Sequence, residues 1–219
     1  MVKQLDHRSP NVEGSDILTH VSSYYTEKLR VHGTTPQGVD WNGADGQRIR
    51  FEQLAKIITT DRFSISDLGC GYGSFYEFLE PRYAEFSYLG YDVADAMVKA
   101  AQTRIRQSAS VSISLGAIPQ QETDYAVASG IFNVRLNQEC DIWRQYVNDT
   151  LESLNRTTRL GFAFNCLTTY SDADRIRRDL FYANPCEMFD HCKSRYSRHV
   201  ALLHDYGLYE FTVLVRKNV

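Results

Sequence analysis

Apolar residues recur along this chain with two different periods, and the alternation between them predicts its elements. From Asp16, which reads as a helix N-cap, Ile17, Leu18, Val21, Tyr24, Tyr25 and Leu29 fall at helical spacing, and Gly33 supplies a stop. The residues before it, 1–15, are polar, carry Pro10, Asn11 and Gly14, and read as a loose arm. The stretch 33-GTTPQGVDWNGADG-46 is rich in Gly, Pro, Asn and Asp and predicts loop. A short helix over residues 47–58 puts Ile49, Phe51, Leu54, Ile57 and Ile58 near one face.

Beyond residue 60 the pattern becomes a repeat. Strands are predicted over 63–68, 86–92, 111–115, 125–132 and 159–166, with helices over 74–79, 94–107 and 139–156 between them. Several strands are apolar on both faces, which predicts an α/β fold: a mostly parallel sheet with helices on both sides. The tail departs from this. After a polar helix near 172–182 and another near 185–196, the strands 199-HVALLHD-205 and 208-LYEFTVLVRK-217 follow in close succession. Only Tyr206 and Gly207 lie between them, too few to cross a sheet, so the pair must run antiparallel.

Composition changes this picture little. At 219 residues, 43% apolar and 23% charged, the chain suits one soluble α/β domain with an N-terminal attachment. A net charge of −3 gives no reason to expect nucleic-acid binding, which leans on clustered Lys and Arg. No apolar run approaches the roughly 20 residues that span a bilayer. Five cysteines, an odd number without a CxxC pair or a signal-peptide pattern, point to reduced thiols and a cytoplasmic location. Cys186, His191 and Cys192 cluster but lack a second ligand pair, so no metal site is expected.

The candidate chemistry sits in 66-SDLGCGYGSFYEF-78. Three alternate glycines follow a predicted strand and lead into a predicted helix, so a ligand can approach bare backbone at the carboxyl edge of the sheet. A nucleoside triphosphate would want a Lys after the last glycine, and none is there. A dinucleotide would want G-x-G-x-x-G, but the third place falls on Ser74. The remaining pattern is an acid two residues before G-x-G-x-G, as in 67-DLGCGYG-73, with a second acid ending the next strand, as in 88-YLGYDVADAM-97.

With the closing hairpin, these motifs resemble class I S-adenosylmethionine-dependent methyltransferases over about residues 63–217. The resemblance implies a Rossmann-like, mostly parallel seven-stranded sheet at 61–219, with residues 1–60 as an arm and helical lid. It implies S-adenosylmethionine as cofactor and S-adenosylhomocysteine as product. Asp92 would accept both ribose hydroxyls, and Asp67 would sit under the loop and fix its amides. Gly69, Gly71 and Gly73 would carry the methionine portion, Val93 and Met97 would cover adenine, and the backbone at Ala117 and Ile118 would hold it. Ser129 and Gly130 would lie beside the cofactor.

In the lid, Tyr24 or Tyr25, Lys28, His32, Trp41 and Arg50 are candidates for gripping the cofactor carboxylate and walling the acceptor pocket. They read equally as packing and solvated residues. Methyl transfer needs alignment and exclusion of water, and a base only if the acceptor must lose a proton. His204 or Asp205 is the candidate base; Asn133 reads equally as an acceptor contact or a turn residue. The expected reaction is in-line displacement onto O or N of a small-molecule acceptor. A protein or RNA target, or an inactive cofactor-binding subunit, is the alternative.

Overall fold

A computed structural model describes residues 12–217. Helix α1 (Val12–His32), a 3-10 turn (Pro36–Val39) and helix α2 (Ala44–Ala55) precede the first strand. Then come β1 (Arg62–Leu68), α3 (Ser74–Leu79), β2 (Glu85–Asp92), α4 (Asp95–Arg104), β3 (Val111–Leu115) and β4 (Thr123–Ala128). The second half holds α5 (Cys140–Arg156), β5 (Thr158–Thr168), β6 (Tyr182–Ala183), α6 (Pro185–Arg195), β7 (His199–Leu203) and β8 (Glu210–Arg216).

The sheet runs β3-β2-β1-β4-β5-β8-β7, with β6 paired to β5 beside that path, so the seven expected strands gain a two-residue eighth. Strands β1 to β5 pair in parallel, while β8 is antiparallel to both β5 and β7. The order reverses between β2-β1 and β4, which opens a crevice at the carboxyl ends of those strands.

Alternation along the central strands feeds two cores. Ala126, Ala128, Phe162 and Phe164 face α5, whose Trp143, Val147, Leu151 and Leu154 are fully buried against them. Tyr125, Val127 and Ile65 face the other way, onto Phe51 and Leu54 of α2, Phe75 of α3 and Val98 of α4. Helix α2 is thus built into the second core. By contrast α1 lies across the carboxyl edge and buries Ile17 at its near end.

Four local expectations are corrected. Asp16 does not cap α1, because the helix is already running from Val12; the arm's first eleven residues lie outside the described ones. Strand β4 stops at Ala128 rather than at 132, because Gly130 takes a φ of +74° and Gly130 O accepts from Asn133 N to form a turn. No helix forms at 172–182 beyond a short 3-10 turn at Ala173–Arg175. There the backbone bonds outward: Phe181 N donates to Asn133 O, Leu136 N to Asp179 O, and the Arg135 guanidinium to the carbonyls of Arg178 and Leu180. The hairpin link is the whole stretch 204–209, because Tyr206 leaves the ladder and its hydroxyl pairs with Thr212 Oγ1 at 3.1 Å.

Candidate active site

The loop after β1 is held by the end of β2. Gly69 N and Cys70 N both donate to Tyr91 O, at 2.7 and 3.0 Å, and Gly71 N donates to Asp92 Oδ2 at 2.9 Å. The second oxygen of Asp92 accepts from Ala94 N, also at 2.9 Å. Each carboxylate oxygen has a further lone pair, and Asp92 lines the cavity above. Gly69 has a φ of +75°, and a Cβ there would lie 2.1 Å from the Ile131 side chain, so no other residue lets the β1 and β4 loops close on each other. Asp67 does not fix the loop amides, since Tyr91 and Asp92 already take them. Its side chain instead accepts from Tyr88 OH at 2.5 Å, 2% exposed beneath the loop.

Both acids are uncomfortable as anions. Burial pushes Asp67 up to about 7, a rise that the Tyr88 hydrogen bond opposes and the Asp92 charge adds to. Burial likewise pushes Asp92 up to about 6 against the bonds from Ala94 and Gly71. A cationic ligand rich in hydroxyl donors would relieve both.

The opposite wall and roof come from distant parts of the chain. Val21 and Tyr25 of α1, Val39 and Trp41 of the following segment, and Gln47 and Phe51 of α2 face the cavity, together with Ser129, Gly130 and Ile131 after β4 and Tyr146 of α5. Trp41 packs so closely on Gly130 that a Cβ there would meet its six-membered ring at 2.4 Å. The Arg50 guanidinium stacks 3.9 Å from the centre of the Trp41 ring and forms a two-pronged pair with Glu210 at 2.8 and 2.6 Å. Asn165 joins this group to the β4 loop: it donates to Glu210 at 2.5 Å and accepts from Gly130 N at 2.8 Å. The Ser129 hydroxyl is different. Among the described residues it is the one buried side-chain polar atom with no partner.

Of the residues expected to serve the cofactor, Asp67, Gly69, Gly71, Asp92, Val93, Met97, Ala117, Ser129, Gly130 and Tyr25 are brought together around this cavity. Gly73 is not in its wall; it caps α3 at a φ of +88°, packed on Ile105. Ile118 is not in its wall either and is 45% exposed. Lys28 pairs with Asp40 at 2.5 Å, beside Tyr24 OH on the other oxygen, and with His32 lines a neighbouring groove instead. Arg50 is not in its wall; its Nε and Nη2 are paired with Glu210.

The catalytic candidates also lie elsewhere. His204 and Asp205 are exposed beyond the end of edge strand β7, where the His204 ring meets Tyr170 and Phe211. Asn133 is a turn residue, 5% exposed, whose side chain accepts from Leu167 N. Sequence reasoning missed Gln47, Ile131 and Tyr146. Burial pushes the Tyr146 hydroxyl up to about 12, so it stays a neutral donor.

The donor set fits S-adenosylmethionine: an acid for a diol, bare backbone at Gly69 and Gly71, an orphaned serine hydroxyl, and no cluster of positive charge to demand a phosphate. The profile of a family described as a methyltransferase domain matches residues 65–161. Rv1506c of Mycobacterium tuberculosis, a protein named as a methyltransferase, is 54% identical over 161 residues, 74% of this chain and 97% of that protein. The chain belongs to the class I S-adenosylmethionine-dependent methyltransferases.

Solved structures agree in fold. Magnesium protoporphyrin IX methyltransferase from Synechocystis PCC 6803 with bound S-adenosylmethionine superposes with a TM-score of 0.64 at 11% identity, covering 97% of this chain and all of that one. Human N-acetylserotonin methyltransferase, also with S-adenosylmethionine, gives 0.55 at 14% identity over 94% of this chain and 68% of that chain. The enzyme uses S-adenosylmethionine as its methyl donor. Among the described residues no helix is long and apolar enough to cross a membrane.

Proposed function

We propose that this methyltransferase acts on O or N of a small-molecule acceptor. The observation that carries the reading is the roof. Val21, Tyr25 and Trp41 cover the carboxyl end of β4, and Trp41 closes directly on Gly130. An acceptor that must fit beneath these side chains is compact. The neighbours named for protoporphyrin and N-acetylserotonin support a small acceptor as well.

Bound S-adenosylmethionine supplies a methyl carbon on an already activated sulfonium. The work left to the protein is to bind, align and keep water out. Asp92 takes the ribose diol, and its two backbone bonds hold the carboxylate in place for this. The Gly69–Gly71 backbone would carry the methionine portion, Met97 and Val93 would cover adenine, and Ser129 has a free hydroxyl to offer the ligand. Tyr25 and Tyr146 line the same cavity and are the residues we assign to the acceptor side.

The reading is tested in two steps. Calorimetry should detect S-adenosylhomocysteine binding and no binding of NAD. A panel of small carboxylic acids, phenols and amines, assayed with S-adenosylmethionine labelled in its methyl group, should then yield a labelled low-molecular-weight product. Label carried only into added protein or RNA would overturn the small-molecule acceptor.

A further inference from the structure

Arg50 of α2 and Glu210 of β8 form an ion pair with their side chains only 11% and 1% exposed. A pair this deep is a poor stabiliser, because lost hydration offsets most of the attraction and apolar side chains of similar volume often do as well. Its neighbours give it another role. Through Asn165, Glu210 reaches the Gly130 amide; through Arg50, it reaches the Trp41 ring, which closes on Gly130 again. Five residues on five segments thus complete a circuit around one edge of the cavity.

The two halves of that circuit are anchored differently. Helix α2 carries Phe51 and Leu54 in the second core, so Arg50 stands on a fixed base. Trp41 belongs to the segment beyond the 3-10 turn, and this turn is tied to α1 through Asp40, which accepts from both Lys28 and Tyr24. The roof and the body therefore meet where Trp41 is gripped, with Asn42 and Gly43 as the only residues before α2 begins.

We propose that Arg50, Glu210 and Asn165 are positioning residues that act through Trp41 and the Gly130 amide, latching the roof to the end of β4 and setting how long the cofactor product stays bound. This rests on the reading that the cavity takes S-adenosylmethionine and S-adenosylhomocysteine. Glu210 holds both arms of the latch, so one carboxylate fixes the roof and the loop after β4 together.

The test measures release of radiolabelled S-adenosylhomocysteine from the full chain, chased with excess unlabelled ligand. The double variant Arg50→Met/Glu210→Gln removes both charges yet leaves Asn165 an acceptor. It should release product at least tenfold faster than wild type while its circular dichroism and melting temperature stay close to wild type. Its tryptophan emission should also shift, with Trp41→Phe identifying which part of the signal belongs to Trp41 rather than the buried Trp143. Should the double variant fail to fold, Trp41→Leu removes the latch from the half-buried side and should show the same acceleration. A purely structural role predicts a lower melting temperature with an unchanged release rate, and that result in either folded variant overturns the latch. Wild-type protein that does not bind S-adenosylhomocysteine overturns the cofactor assignment of the cavity and this proposal with it.

Discussion

The cavity has two walls of different construction. On one side Asp67, Gly69, Gly71 and Asp92 come from two consecutive strand ends, and their contacts are backbone amides meeting a carbonyl and a carboxylate. On the other, Trp41, Arg50, Gly130, Asn165 and Glu210 are joined by side chains, and one contact bridges 160 positions of sequence. The first wall would persist under most side-chain changes that spare its acids and glycines. The second depends on each of its members having the right shape. The difference teaches that one part of the site is written in local motif, whereas the part that closes it is written in tertiary contact.

Removing the central acid of the first wall should have the largest effect. Asp92→Ala removes the expected partner of both ribose hydroxyls, and hydrogen bonds to a charged group contribute roughly 1.5–3 kcal/mol each. Binding of S-adenosylhomocysteine should weaken by about 100-fold or more by calorimetry, with the fold retained. A loss smaller than tenfold would mean that Asp92 chiefly serves the loop, through Gly71 and Ala94.

The ease with which the first wall was read has a physical cause. A glycine at positive φ and an acid at a strand end leave a trace in a short window of sequence, and 67-DLGCGYG-73 and Asp92 carried it, although Gly73 caps α3 and Asp67 pairs with Tyr88 rather than with the loop amides. Alternation likewise made the strands and the antiparallel tail legible. Arg50 and Lys28 were misread for the opposite reason. Their partners, Glu210 and Asp40, come close only after folding, and a cation looks free until its anion is placed. Residues 172–182 failed similarly, because a polar stretch with helical composition gave its backbone bonds to the loop after β4.

The second wall can be probed with a matched pair of glycines. Gly130 and Gly207 share a φ of +74°, so Ala imposes the same dihedral cost of about 1 kcal/mol at each. A Cβ at Gly207 has nothing within 4 Å, whereas one at Gly130 would strike Trp41 at 2.4 Å. In urea denaturation Gly130→Ala should cost about 1–3 kcal/mol more than Gly207→Ala, the usual penalty for overpacking. Equal losses would show that Trp41 swings away freely, and the contrast between the walls would weaken.

The acids of the first wall should also show themselves through pH. Both carboxyls titrate above their ordinary 3.8 in the folded protein, so the folded chain holds more protons than the unfolded one. Stability from this pair is complete below about pH 4 and is lost as pH rises through about 6 for Asp92 and about 7 for Asp67. Product binding should run the other way, since the diol wants an ionised acceptor. Affinity should rise about tenfold between pH 5 and pH 8. Melting curves with and without saturating S-adenosylhomocysteine check both signs together. The apo protein should melt lower as pH rises, while the increment from ligand grows. An increment flat in pH would remove Asp92 from the diol.

The smallest effect is expected at His204 and Asp205. Strand β7 is the last of the path β1-β4-β5-β8-β7, so its end stands three strands away from β4. The His204 ring rests at 5.9 Å from Tyr170 and 6.1 Å from Phe211, contacts that belong to the far rim of the sheet. His204→Ala and Asp205→Ala should leave product affinity within about twofold and stability within about 0.5 kcal/mol, as ordinary surface substitutions do. A tenfold change in affinity would carry a specific meaning. Phe211 follows Glu210 directly in β8, so a rim substitution felt in the cavity would have to pass through that strand to the Arg50 pair, and the second wall would extend from Trp41 to the edge of the sheet.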